Sequence, residues 1–96
     1  MTRSDILEIL KEIKIDRGDK YGLLGLGLFG SAVGGDFQPE SDVDVVVGTR
    51  TPDPFPLVHL KAKQENRLNR RVDIIRIWVG MNPILKKRID EEAVHV

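Results

Sequence analysis

The amino-acid sequence predicts an α/β (α+β) domain in which a small mixed β-sheet is backed by helices. Three observations lead to this prediction: an amphipathic segment opens the chain, three short apolar runs have the composition of strands, and two later segments space their apolar residues as helices do. Their order is α, β, β, α, β, α, which is typical of a sheet covered by helices. Since the chain has 96 residues and no linker-like tract, residues 1–96 are expected to form a single domain.

The helices are predicted from apolar spacing and from end signals. Residues 2–15 place isoleucine and leucine on one face, open with a threonine–aspartate capping pair, and are expected to end before Gly18. A second helix is predicted over residues 57–68. The last predicted helix covers residues 83–93 and begins at a proline, which suits the first turn of a helix.

Three runs are predicted as strands. Residues 23–29 are apolar and interleaved with glycine, which favours a strand that other backbone approaches closely. Residues 42–47 and 72–79 are rich in β-branched side chains. Both later strands have aspartates within their first residues, so these aspartates are candidates for one shared functional site.

Composition narrows the possible functions. The 15 basic and 15 acidic residues cancel, so the domain lacks the cationic excess that non-specific binding to nucleic acid requires. The absence of cysteine excludes disulfides and thiolate metal sites. No apolar run reaches the length of a membrane span, and the charged N-terminal segment does not resemble a signal peptide. We therefore expect a cytoplasmic protein without membrane attachment and without direct nucleic-acid contact.

Charge is unevenly distributed along the chain. From Asp36 to Asp44 every ionisable side chain is acidic, whereas residues 59–76 carry six lysines and arginines against two acidic residues. An acidic site beside a basic band would suit a metal-bound polyphosphate. The alternative is that most of the basic residues form a solvated helix face.

Three glycines in and just after the first predicted strand match the pattern of a dinucleotide-binding loop. Gly25, Gly27 and Gly30 spell G-x-G-x-x-G, the dinucleotide-binding fingerprint. In that fold the acidic residue lies at the far end of the second strand, whereas Asp42 and Asp44 begin their apolar run. We therefore reject the dinucleotide interpretation.

Carboxylates at the strand starts are the candidate metal ligands and catalytic residues. Asp42 and Asp44 occupy positions i and i+2, which project from the same face of a strand about 6.5 to 7 Å apart. Two ionised carboxylates beside apolar residues repel, and a pair of divalent cations of the kind used in phosphoryl transfer relieves this repulsion. Asp73 begins the third predicted strand in the same way. For any one aspartate, a turn or a strand edge remains the alternative.

Gly30 and Ser31 have the chemistry of a nucleotide-binding bend. Glycine lets the backbone approach an anion without a Cβ atom, and Ser31 adds a hydroxyl donor and exposed amides. The pair is expected to hold terminal phosphates.

The whole motif supports a resemblance to a known family. Leu28-Phe29-Gly30-Ser31, then ten residues, then Asp42-Val43-Asp44, with Val72-Asp73-Ile74-Ile75 downstream, resembles the minimal nucleotidyltransferases of the polymerase β superfamily. It is similar in particular to the MNT-type antitoxins that are encoded beside HEPN-type toxins. The resemblance covers nearly the whole chain and implies a polymerase-β-like nucleotidyltransferase fold.

The resemblance also implies an activity. It implies Mg²⁺ and ATP as cofactors, with Asp42 and Asp44 as ligands of both metal ions and, together with Gly30 and Ser31, as nucleotide-binding residues. It implies that Asp73 is the third carboxylate at the catalytic metal. The implied reaction transfers AMP to a tyrosine of the partner toxin and blocks the toxin's RNase activity.

One departure from the family pattern concerns the phosphates. Members commonly carry arginines after the serine, as in G-S-R-A-R-G, whereas this chain has Ala32 and Gly34 in those places. A bidentate guanidinium clamp is therefore missing from the loop. Arg50, Lys61 and Lys63 are the substitutes that the sequence suggests.

Two alternatives remain open at this point. The domain could neutralise a toxin by occlusion alone, without catalysis, which the missing arginines favour and the three aspartates oppose. It could also transfer a nucleotide to a small molecule such as an aminoglycoside, although it has no second lobe to hold one.

Overall fold

The computed structural model describes residues 2–34, 41–51, 53 and 55–96. Asp36 and Glu40 of the acidic stretch lie outside these residues. The described elements, in chain order, are α1 (Arg3–Tyr21), β1 (Leu23–Phe29), α2 (Ser31–Gly34), β2 (Val43–Thr49), α3 (Phe55–Leu68), β3 (Val72–Arg76), α4 (Pro83–Glu92) and β4 (Val94–His95).

Helix α1 begins as its sequence predicts and ends later. The Thr2 hydroxyl accepts a hydrogen bond from the Asp5 amide at 3.2 Å, and the Asp5 carboxylate accepts one from the Thr2 amide at 2.8 Å. The prediction that the helix ends before Gly18 is wrong, because Gly18 is buried inside it. The end comes at Gly22, whose left-handed conformation (φ 65°) places the cap. A glycine inside a helix lowers its stability, but a left-handed glycine terminates it.

The four strands of the described residues form one mixed sheet in the order β3-β2-β1-β4. Strand β1 pairs antiparallel with both β2 and β4, and β2 pairs parallel with β3. This arrangement confirms the predicted α/β class with a small mixed sheet. Strand β4 was not predicted, because a strand of two residues leaves no periodic pattern in a sequence.

The strand ends differ from their predictions. Asp42 lies just before β2 rather than inside it, and β2 continues to Thr49. Strand β3 ends at Arg76, so the prediction of a strand to Val79 is wrong. The chain turns instead, with the Met81 amide donating to the Trp78 carbonyl at 3.2 Å. This turn leaves Trp78 52% exposed, so its apolar character does not mark a buried strand.

Glycine in β1 has a packing reason. A Cβ atom at Gly27 would lie 3.0 Å from the Val94 carbonyl oxygen and 2.9 Å from His95 Nδ1. Strand β4 therefore approaches β1 more closely than a side chain at position 27 would allow. The expectation that other backbone approaches this strand is confirmed.

The two faces of the sheet are covered differently. Helices α1 and α3 pack on one face, where the main core includes Ile6, Leu10, Ile13, Leu26, Leu28, Val43, Val45, Val47, Leu60 and Leu68. A smaller cluster of Phe29, Val46, Met81 and Ile89 lies on the other face, under α4. Since side chains alternate along a strand, Asp44 shares this second face with Val46. No helix in the described ranges combines the length and apolar composition that a bilayer crossing needs.

Candidate active site

The starts of β2 and β3 bring two of the predicted carboxylates together. In the parallel pairing of these strands Val43 lies opposite Val72, and Asp44 lies opposite Asp73. The Val43 amide donates to the Arg71 carbonyl at 2.9 Å, which fixes this register at the strand starts. Paired residues on neighbouring strands point to the same face at a strand spacing of about 4.8 Å. Asp44 and Asp73 are therefore side-chain neighbours at one end of the sheet.

Asp44 is influenced by the charges of both other predicted aspartates. The pKa of the Asp44 carboxyl is raised above its ordinary value, first by burial and then by the negative charges of Asp73 and Asp42. Burial and like charges both disfavour the ionised form of a carboxyl group. A bound cation would oppose both effects, because it lowers the free energy of the ionised form.

The three carboxylates do not already form a closed metal cage. Among the described residues no three acidic, histidine or cysteine side chains stand in a metal-holding arrangement. Arg71 also competes for Asp42, since its Nε lies 3.7 Å from Asp42 Oδ1. This open arrangement suits Mg²⁺, which takes one or two protein carboxylates and completes its octahedral shell with substrate phosphates and water. The hard oxygen donors of Asp42, Asp44 and Asp73 thus fit the metal that the motif implies.

Gly30 places the serine bend directly against this carboxylate group. Phe29, the last residue of β1, pairs with Asp44, and Gly30 follows in a left-handed conformation with φ 75°. A Cβ atom at Gly30 would overlap the Asp44 carboxylate, with Asp44 Cγ only 3.3 Å away. Only glycine tolerates both the backbone angle and the close approach. Ser31 then begins α2 with its side chain exposed.

Two clefts border the region of the carboxylate group, one at Gly30 and one at Asp73. The first, of about 450 Å³, is lined by the Gly30–Ser31 bend and by Arg88 and Glu92 of α4. The second, of about 520 Å³, runs between α3 and β3 and is lined by Leu57, Val58, Lys61, Asp73, Ile74 and Arg76. The first cleft contains the Ser31 hydroxyl and the Arg88 guanidinium, which can donate hydrogen bonds to phosphate, and the second has an apolar wall with Asp73 at its edge.

The cations suggested by the sequence fall in different places. Arg50 lies past the opposite end of β2, where it pairs with Asp19 at 3.3 Å, so it is remote from the bend. Lys61 lines the cleft beside Asp73, whereas Lys63 lines neither cleft. Arg88, which lines the cleft at the bend, was missed by sequence reasoning. No spacing rule connects α4 to the bend, because only the packing of α4 on the sheet brings them together.

Comparison with known families identifies the class of this site. Residues 18–96 match the nucleotidyltransferase domain family described as polymerase beta. The chain belongs to this family. It is a nucleotidyltransferase, and the match includes the Gly30–Ser31 bend and all three predicted aspartates.

Relatives of known name extend over the full length of this nucleotidyltransferase. A protein of Methanocaldococcus jannaschii with a provisional name as a protein adenylyltransferase is 35% identical over 98 residues, which cover 99% of this chain and 98% of the relative. The protein adenylyltransferase MntA of Thermococcus cleftensis is 32% identical over 97 residues, which cover 100% and 97% of the two chains. The nucleotidyltransferase is thus similar in both sequence and length to proteins named for protein adenylylation.

Solved structures share its fold. One described provisionally as a minimal nucleotidyltransferase superposes with a TM-score of 0.80 at 26% identity, and the match covers 98% of this chain and 95% of that one. A second is an MNT antitoxin in complex with a tri-AMPylated HEPN toxin of Shewanella oneidensis, with a TM-score of 0.66 at 21% identity and coverage of 98% and 71%. At that identity the second comparison establishes the fold alone.

Proposed function

We propose that this nucleotidyltransferase is a Mg²⁺-dependent antitoxin that transfers AMP from ATP to a tyrosine hydroxyl of a HEPN-type RNase toxin in the cytoplasm. The observation that carries the proposal is the contact of the Gly30 bend with Asp44, which is itself paired with Asp73. This contact joins a phosphate-binding backbone to a carboxylate pair. A phosphate-binding backbone beside a carboxylate pair is what phosphoryl or nucleotidyl transfer requires, whereas a protein that only binds its partner needs neither.

Each site residue has a separate role in this proposal. Asp42 and Asp44 hold the metal ions, and Gly30 and Ser31 receive the phosphates of ATP in the cleft at the bend. Bound Mg²⁺ would neutralise phosphate charge and lower the pKa of the acceptor hydroxyl. The protein otherwise contributes position and electrostatic stabilisation, as is usual for phosphate chemistry.

Asp73 serves the acceptor. The tyrosine oxygen forms a bond to the α-phosphorus, the bond from that phosphorus to pyrophosphate breaks, and the hydroxyl proton passes to the Asp73 carboxylate. Asp73 is exposed and lines the cleft between α3 and β3. The apolar side chains of Leu57, Val58 and Ile74 in this cleft suit an aromatic ring whose hydroxyl reaches the carboxylate.

Two comparisons support the identity of the acceptor. The full-length relatives are named protein adenylyltransferases, which favours a protein over an aminoglycoside. The fold is shared with an MNT antitoxin bound to an AMPylated HEPN toxin. A toxin encoded beside this chain is therefore the partner to test first.

The decisive experiment measures label transfer from α-labelled ATP to the co-expressed partner. The Asp42→Asn, Asp44→Asn double variant should lose about hundredfold to thousandfold of the transfer rate, because it removes the charge that holds the metal ions. An Asp16→Asn, Asp19→Asn double variant changes net charge equally on the exposed surface of α1 and should transfer normally. Equal labelling by both double variants would overturn the proposal.

Neutralisation by occlusion is the second candidate, and Ala32 and Gly34 favour it because the loop carries no cationic side chain there. The same two variants separate the hypotheses. If the Asp42→Asn, Asp44→Asn variant still binds the toxin and still protects cells from it, occlusion is sufficient. Loss of protection with retained binding would instead require AMP transfer.

A further inference from the structure

The cleft at the Gly30–Ser31 bend has a wall that the sequence motif does not contain. Helix α4 supplies this wall through Arg88 and Glu92, which lie one turn apart. The remaining lining comes from Gly30, Ser31, Val33 and Gly34. In the described lining Arg88 is therefore the only cationic side chain.

Arg88 is positioned against the end of β1. Its guanidinium carbon lies 5.7 Å from the centre of the Phe29 ring, in cation–π contact. Phe29 pairs with Asp44 and directly precedes Gly30. This contact orients the guanidinium beside the bend, with one side against the Phe29 ring and the other open to solvent.

The hydrogen-bonding capacity of Arg88 is only partly used. Its Nε lies 3.4 Å from Glu92 Oε2, and the side chain is 60% exposed. In the described part of the chain its terminal nitrogens have no other hydrogen-bonding partner. A guanidinium has five N–H donors in a planar fork, which is the geometry that binds phosphate oxygens bidentately.

The charge balance of the cleft calls for such a cation. Glu92 adds a negative charge to the lining of this cleft, and metal ions held by Asp42 and Asp44 would compensate charge only on the phosphates nearest to them. The loop positions after Ser31 hold alanine, valine and glycine, which offer no cation. A triphosphate bound in this cleft would meet Arg88 as the one cationic side chain of the described lining.

We propose that Arg88 is the phosphate clamp of this nucleotidyltransferase, which binds the terminal phosphates of the nucleotide, and that Glu92 competes with those phosphates for the same guanidinium. The inference deepens the proposed function and rests on it for the choice of ATP as ligand. Glu92 keeps Arg88 oriented in the empty cleft and is displaced when phosphate binds.

The test measures binding rather than turnover, by calorimetric titration with Mg²⁺ and three probes: ATP, inorganic tripolyphosphate and AMP. Arg88→Ala should weaken ATP and tripolyphosphate about tenfold to hundredfold, the range for hydrogen bonds to a charged group. AMP affinity should not change, because AMP lacks the terminal phosphates. Arg88→Lys should be intermediate, since it keeps the charge and loses the fork.

Two further variants separate a clamp from a structural role. Glu92→Gln removes the competing charge and should tighten ATP and tripolyphosphate several-fold. If the pair served only to stabilise α4, Glu92→Gln and Arg88→Ala would change binding in the same direction. Lys87→Ala is the matched control, because it removes one positive charge from the same helix outside the cleft and should bind all probes as the parent protein does.

The outcomes distinguish this inference from the proposed function. Unchanged ATP and tripolyphosphate affinity in Arg88→Ala would overturn the clamp while leaving the aspartate chemistry intact. An equal loss of AMP affinity would also overturn it. Selective loss of triphosphate binding, in a protein that labels no partner, would support the clamp and reject the proposed transfer.

Discussion

On each side of the sheet a polar side chain is at least partly buried, and the consequences differ. On the face covered by α1 and α3, Gln64 is 0% exposed within the Leu60–Leu68 stripe of α3, and both its amide atoms lack a hydrogen-bonding partner among the described residues. On the opposite face, Asp44 is half-buried near the charges of Asp73 and Asp42, and it lies against Gly30, which lines a cleft. A buried polar group is costly in both places. Only the second borders a space in which a ligand can offset the cost.

Among the tests of this comparison, the largest effect is expected at Gly30, the glycine that lies against Asp44. Gly30→Ala should cost about 1–2 kcal/mol of stability through its left-handed backbone and should displace the Asp44 carboxylate, with transfer falling about hundredfold. Urea unfolding and label transfer measure the two parts. Gly25→Ala is the control, because a Cβ atom there meets nothing within 4 Å. A similar loss in both variants would contradict the special position of Gly30.

On the face covered by α1 and α3, we expect that a substitution of Gln64 increases stability. Gln64→Leu should raise the free energy of unfolding by about 1–3 kcal/mol, since it removes an unsatisfied buried amide. Nucleotide binding and label transfer should not change, because Gln64 lines neither cleft. Asn66→Leu, an exposed position on the same helix, should leave stability nearly unchanged. A destabilised Gln64→Leu protein would show that the amide has a partner, and that the two faces differ less than we infer.

The smallest effect concerns pH in the presence of a chelator. Because the folded-state pKa of Asp44 is raised, its contribution to stability is fully present below its unfolded pKa and is lost as pH rises through the folded pKa. Asp44→Asn should therefore melt at a higher temperature than the parent protein at neutral pH, and the difference should disappear towards pH 3. Thermal melts across this pH range measure it. A difference that grows as the pH falls would contradict the sign.

Local patterns predicted most of the secondary structure. The glycine–leucine alternation predicted β1 over Leu23–Phe29 with its observed ends, and the threonine–aspartate pair predicted the start of α1. Predictions were poorer where the end of an element depends on a partner. The predicted third strand leaves the sheet after Ile77 and enters a turn, and β4 exists only because it pairs with β1.

The residues of the candidate site likewise fall into those that the sequence predicts and those that only the tertiary structure reveals. Asp42, Asp44, Asp73, Gly30 and Ser31 were all named from their spacing, because each follows from chemistry that one or two neighbouring residues carry. The register that pairs Asp44 with Asp73 and the packing that brings Arg88 to Phe29 could not be read from spacing. Both depend on contacts between segments distant in the chain.

The order of residues was thus sufficient to specify the class of fold, the carboxylates and the bend, because backbone conformation and ionisation are properties of short segments. Tertiary structure decided which surfaces meet: the closure of Gly30 on Asp44, the two clefts, and the arginine of α4 that completes one of them. Such contacts arise when helices bury apolar side chains against a sheet. The positions of the polar residues on those helices are therefore determined by how the core packs.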